Sequence, residues 1–198
     1  ILFGSMQNLG FYFDLGWHHI IAWDALDHLL FVLVLSAVYL IADWKKVLIL
    51  ITAFTLGHSL TLILSIVDMV RMSSGLVEFL IPCTIIITAA FNLWQNDYGS
   101  KSLQRNYFLA FFFGLIHGLG FANAIRFMME KNGSIGLNLL GFNLGLEAGQ
   151  IVVVTCILIL SFIIVNKAGL KRKWWVMGLS VLSILMATKM IWDRLPSL

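Results

Sequence analysis

The sequence predicts an all-α integral membrane protein, a polytopic bundle of six transmembrane helices that forms a single domain. The first observation is composition, because 60% of the 198 residues are hydrophobic and only 12% are charged. A soluble domain carries about 25% charged residues. The second observation is pattern: long apolar stretches alternate with short polar connections, and no soluble domain or linker interrupts them. A helix needs about 20 mostly apolar residues to cross the hydrocarbon core of a bilayer.

Six stretches meet that length, and each is predicted to be one transmembrane span. They lie at about residues 23–42, 47–67, 76–94, 107–128, 136–165 and 174–192. The first is unbroken and apolar after residue 28, the second and fourth each carry one central histidine, and the third contains Pro82 as a predicted kink. The fifth is long enough that it should either tilt or extend past the headgroups. The sixth has no charge at its centre and is predicted to be scaffold. Residues 1–5 are predicted to be an artificial extension, with Met6 as the native start.

Basic residues predict the orientation in the membrane. Eight of the 13 Lys and Arg residues fall in the first, third and fifth connections: Lys45, Lys46, Lys101, Arg105, Lys167, Lys171, Arg172 and Lys173. Connections rich in Lys and Arg face the cytoplasm. We therefore expect a protein of a bacterial inner membrane with both termini outside.

Polar residues crowd the start of the first predicted span. His18, His19, Asp24, Asp27 and His28 all precede its apolar run. If this segment is helical, Asp24 and His28 are four residues apart and share a face. Asp24 is favoured as a residue that stabilises a helix start. Asp27 and His28, already leading into the apolar run, are favoured as functional, because ionisable groups inside membranes are costly.

Three further ionisable residues lie near the middle of other spans: His58 in the second, His117 in the fourth and Glu147 in the fifth. One buried histidine can simply bond to a neighbouring helix, as Ser59 beside His58 can also do. Two histidines at matching depth, each beside a glycine, predict a shared site. A buried carboxylate needs a partner or a proton, which makes a purely structural Glu147 less favoured.

The fifth span carries glycines at every fourth position, Gly141, Gly145 and Gly149, which predict a smooth ridge for close helix packing. The opposite face carries Glu147 together with two amides, Asn143 and Gln150. The amides are predicted either to hold helices together or to support the polar site, and the pattern leaves both open.

At these positions the chain resembles the HupE/UreJ family of small integral membrane proteins. The resemblance is carried by His19, by the run Asp27-His28-Leu-Leu-Phe, and by three longer segments, 54–62, 113–122 and 142–150. It implies a permease for nickel, or for nickel and cobalt, associated with hydrogenase and urease maturation. It also implies that His19, Asp27, His28, His58, His117 and Glu147 form the metal path.

The residues leave competing functions open. The favoured hypothesis is a permease that passes a divalent transition metal along the six predicted ligands, with His18, Asp24, Ser59, Asn143 and Gln150 in support. The alternative is an intramembrane zinc hydrolase, in which His28, His58, His117 and Asp27 hold zinc and Glu147 is the base. Haem binding by paired histidines is a third and less favoured hypothesis. We expect lipid and a divalent metal ion as partners, expect no nucleic acid, and leave an oligomer open.

Overall fold

The computed structural model describes residues 2–22, 25–95, 100–129 and 135–195. Within these ranges the chain forms seven α-helices and no β-strand. They are α1 (Leu2–Ile21), α2 (Leu26–Ser36), α3 (Trp44–Ile66), α4 (Ser74–Trp94), α5 (Ser100–Met129), α6 (Ile135–Ser161) and α7 (Arg172–Arg194). A short 3-10 segment, Ile41–Asp43, precedes α3, and a π-helical turn, Phe162–Lys167, continues α6.

The predicted all-helical membrane fold is supported, but the predicted number of spans, six, is not confirmed. Over the described residues four helical segments are long and apolar enough to cross a bilayer: Ile41–Ile66, Ser74–Trp94, Ile135–Lys167 and Arg172–Arg194. A fifth span results if the bent pair α1 and α2 is counted as one. Helix α5, which contains the predicted fourth span, is not among them.

The first predicted span, residues 23–42, is wrong as a continuous helix. Helix α2 has only 11 residues, so it rises roughly 16 Å, about half the hydrocarbon thickness. It is preceded by α1, which the sequence prediction missed because polar residues such as Asp14, His18 and His19 interrupt its apolar pattern. The axes of α1 and α2 differ by 69°. The first hydrophobic segment is therefore one half of a broken helix.

The glycine ridge of α6 packs against α1, as its spacing predicts. A β-carbon at Gly145 would overlap the carbonyl oxygen of Phe13, and one at Gly141 would come within 2.7 Å of the carbonyl oxygen of Leu9. Gly16 on α1 likewise packs against the backbone of α6, because a β-carbon there would overlap the carbonyl oxygen of Phe142. The two backbones are thus in direct contact.

Helices α3 and α5 form a second close pair through Gly57, Gly114 and Gly118. A β-carbon at each would overlap a backbone carbonyl oxygen of the facing helix. Helices α4 and α7 form the third pair. The short helix α2 lies between the pairs and contacts α1, α4, α5, α6 and α7. Its interior position explains why most of its residues are buried.

Candidate metal site

Three histidines from three different helices meet where α1 ends and α2 begins. His19 lies in the last turn of α1, His28 in the first turn of α2, and His58 in the middle of α3. One nitrogen of each lies within 4.8 Å of the corresponding nitrogens of the other two. The ring centroids of His19 and His28 are 4.5 Å apart, and those of His19 and His58 are 5.8 Å apart. The break between the two helices is therefore what brings His19 and His28 together.

His117 on α5 adjoins this group, with its ring centroid 5.0 Å from that of His28. It is fully buried. Its Nδ1 lies 2.8 Å from the carbonyl oxygen of Phe113. Since a carbonyl can only accept a hydrogen bond, Nδ1 carries the proton and Nε2 has a free lone pair. We call these four residues, His19, His28, His58 and His117, the histidine cluster.

Asp27 orients His28 in the same way. Its Oδ1 accepts hydrogen bonds from His28 Nδ1 at 3.0 Å and from the His28 backbone N–H at 2.9 Å. An ionised carboxylate is an acceptor only, so Nε2 of His28 is the nitrogen with a free lone pair. Asp27 is thus placed as the outer partner that a metal-binding histidine ordinarily has.

Five buried ring nitrogens of the cluster lack hydrogen-bond partners among the described residues. They are Nε2 of His19, His28 and His117 and both ring nitrogens of His58. Buried polar atoms are nearly always satisfied, and one divalent cation would satisfy several of these at once. Neutral imidazole suits nickel, cobalt and zinc. Nitrogens around a tetrahedral ion at bond lengths of about 2.0–2.1 Å are roughly 3.3 Å apart. Because the nitrogens of His19, His28 and His58 lie within 4.8 Å of one another, such an ion requires them to approach by at most about 1.5 Å.

Phenyl rings enclose the cluster on several sides. The ring of Phe121 lies 4.3 Å from that of His19, and Phe31 lies 4.8 Å from His117. Phe142 stacks on His58 at a centroid distance of 6.0 Å. This apolar shell limits access of water and so strengthens electrostatic interactions at the site.

A cavity of about 450 Å³ leads from the surface to the histidine cluster. Its outer part is lined by exposed His18 and Glu78 and by half-buried Arg194, and its inner part by His19 and His28. The cavity reaches these two histidines, and His58 and His117 lie behind them. The cluster is therefore approached from one end of the bundle.

Glu147 lies on a separate polar contact between α3 and α6. Its Oε1 accepts a hydrogen bond of 2.6 Å from Thr52, and one turn away Gln150 Oε1 accepts one of 2.9 Å from Thr55. Thr52 precedes His58 by six residues, which is about 9 Å along the helix axis. The structure thus gives Glu147 a different depth from His58. We call these four residues, Thr52, Thr55, Glu147 and Gln150, the α3–α6 seam.

The supporting residues take different positions. His18 is exposed, with Nδ1 2.9 Å from the carbonyl oxygen of Asp14. Ser59 donates to the carbonyl oxygen of Thr55 within its own helix at 2.7 Å. Asn143 has a buried Oδ1 without a hydrogen bond in the described part of the chain. Asp24 lies outside the described residues.

Sequence reasoning missed Arg194, because it predicted that the sixth span is scaffold. Its Nη2 donates to Asp27 Oδ2 at 3.2 Å, across 167 positions of sequence. No motif or periodicity links two residues so far apart, and only the packing of α7 brings them together.

Fold and site together define an integral membrane protein with a buried imidazole cluster suited to a divalent transition metal. Residues 3–194 match the family described as HupE / UreJ protein, and the chain belongs to this family. Membership implies a function related to nickel or cobalt transport. Comparisons with curated proteins and with solved structures found no match.

Proposed function

We propose that this protein is a membrane permease for a divalent transition metal, most specifically nickel or cobalt. The observation that supports this best is the histidine cluster at the end of an open cavity: three helices bring imidazole nitrogens within 4.8 Å of one another, and His117 of a fourth helix adjoins them. Imidazole is the side chain that suits these ions.

The first step is capture in the cavity. Glu78 is exposed at its outer part, and a carboxylate there attracts a hydrated cation. His19 and His28 line the inner part. They replace water molecules of the ion one at a time, which lowers the cost of removing its hydration shell.

The second step carries the ion past His58 and His117 and along the α3–α6 seam. The seam offers hydroxyl, amide and carboxylate oxygens. Oxygen ligands hold nickel or cobalt less well than imidazole does. Passage from nitrogen to oxygen ligands therefore favours release, as conduction requires.

Neither alternative function gains support from the described residues. In a zinc hydrolase the base lies beside the metal-bound water, whereas Glu147 bonds to Thr52, about 9 Å along α3 from His58. For haem, the ring centroids of His19 and His28 are only 4.5 Å apart, which is closer than two imidazoles on opposite faces of one haem.

Uptake of nickel and cobalt by cells that express the chain tests the proposal. The wild type should raise cellular metal, and His117→Ala should reduce that gain at least 10-fold. Glu147→Gln should also reduce uptake, while the purified variant keeps its metal affinity, because Glu147 lies outside the cluster. Ser59→Ala is the control and should behave as wild type, since its hydroxyl bonds within its own helix. Wild-type cells that accumulate no more metal than cells without the protein would contradict the proposal.

A further inference from the structure

We propose that Arg194, at the end of α7, is a positioning residue of the histidine cluster that acts on His28 through Asp27. The inference rests on the proposed metal-binding function. It adds to the proposed metal site a residue that lies near the other end of the sequence from His19 and His28. No motif or resemblance in the sequence points to this residue.

The two carboxylate oxygens of Asp27 have different partners. Oδ1 accepts from His28 Nδ1 at 3.0 Å, and Oδ2 accepts from Arg194 Nη2 at 3.2 Å. The carboxylate is 12% exposed and the Arg194 side chain 23% exposed. With both oxygens engaged, the carboxylate cannot rotate about its Cβ–Cγ bond without losing a charge-assisted hydrogen bond.

Arg194 is itself fixed by a second helix. Its Nη1 donates to the backbone carbonyl oxygen of Glu78 on α4 at 2.8 Å. Guanidinium is planar and permanently charged, so two nitrogens held by two acceptors define its plane. The chain of contacts therefore runs from the α4 backbone through Arg194 and Asp27 to the ring of His28.

The consequence for metal binding follows from the tautomer of His28. While Asp27 holds Nδ1–H, the lone pair stays on Nε2 of a ring that adjoins the rings of His19 and His117. Without Arg194 the carboxylate loses its second anchor, and the His28 ring loses its fixed orientation. Loss of such an outer partner typically weakens metal affinity 10–100-fold.

A contrary role for Arg194 makes the opposite prediction. A guanidinium beside Asp27 could simply compete with the incoming cation for the carboxylate. Removal of the competitor would then tighten metal binding. The direction of the change in affinity distinguishes the two roles.

The test is a double-mutant cycle on purified full-length protein, with Ni²⁺ and Co²⁺ as probes in titration calorimetry. We expect Arg194→Gln and Asp27→Asn each to weaken binding 10–100-fold. The double variant should bind no more weakly than Asp27→Asn alone, because Arg194 acts through Asp27. Lys189→Gln, which removes an exposed cation from the same helix, should bind as wild type.

Arg194→Lys keeps the charge with a single anchoring point and should have intermediate affinity. It also serves as the test variant if Arg194→Gln does not purify with the wild-type melting temperature. Tighter binding, unchanged binding, or additive losses in the double variant would overturn the role of Arg194 alone. A wild-type protein that binds neither ion would overturn the metal site as well, so the two failures are distinguishable.

Discussion

In the histidine cluster, the acceptor on one ring nitrogen decides which nitrogen is free to bind metal. Asp27 fixes His28 from a side chain, and the Phe113 carbonyl fixes His117 from the backbone of its own helix. Both arrangements leave Nε2 with the lone pair. His58 has neither nitrogen bonded among the described residues, so it can turn either one toward an ion.

We predict that His58→Ala weakens Ni²⁺ binding to the purified protein at least 10-fold, because it removes one ligand from the centre of the cluster. His18→Ala is the matched control, since the same change is made to an exposed histidine at the outer part of the cavity. Its affinity should equal that of wild type. Equal losses in both variants, measured by titration calorimetry, would mean that the buried cluster is not the binding site.

Sequence reasoning selected the histidines because imidazoles within apolar stretches are unusual and costly. It could not predict that Glu147 lies beside Thr52. Helical periodicity assigns a residue to a face, but the relative depth of two helices depends on how their surfaces interlock. The same limit applies to Arg194, whose contact with Asp27 exists only because α7 packs beside α2 as well as α4.

At the scale of the helix, the break between α1 and α2 is the feature that creates the site. Transporters commonly bind ions where a membrane helix is interrupted, since backbone groups at helix ends are free there. Hydropathy gave no sign of the end of α2, because the apolar run continues beyond Ser36 through Leu40. The apolar composition of this segment fits both a continuous membrane-spanning helix and a short buried helix. Only tertiary packing determines which of the two forms.

The glycine ridge, by contrast, was predictable, because spacing alone places Gly141, Gly145 and Gly149 on one face. We predict that Gly145→Leu lowers the melting temperature or prevents folding, since its side chain would overlap the backbone of α1 at Phe13. Gly136→Leu is the control in the same helix, because nothing lies within 4 Å of a β-carbon there. A Gly145→Leu protein with wild-type yield and melting temperature would show that α1 does not pack on this ridge.

For the whole molecule, we predict the direction of metal movement from the cavity together with the charge distribution. The cavity opens near Glu78 and Arg194, at the ends of α4 and α7 that the positive-inside pattern places outside. Metal would then enter from outside and leave toward the connections that carry most of the Lys and Arg residues.

Cysteine labelling of intact cells checks the orientation. In a background without Cys83 and Cys156, we expect Ser73→Cys to react with an impermeant reagent added from outside. Lys171→Cys should react only after permeabilisation. Both positions are exposed and precede the first turn of a helix, α4 and α7 respectively. The reverse pattern would require the opposite orientation and metal movement in the other direction.

X-ray absorption spectroscopy at the nickel edge of the purified, nickel-loaded protein tests the central claim most directly. The histidine cluster predicts three or four imidazole nitrogens at about 2.0–2.1 Å, on the scale of metal–imidazole bonds, with the multiple scattering that imidazole rings produce. His58→Ala should lose one of these ligands. A spectrum with only oxygen ligands and no imidazole scattering would contradict the claim that the cluster binds the transported ion.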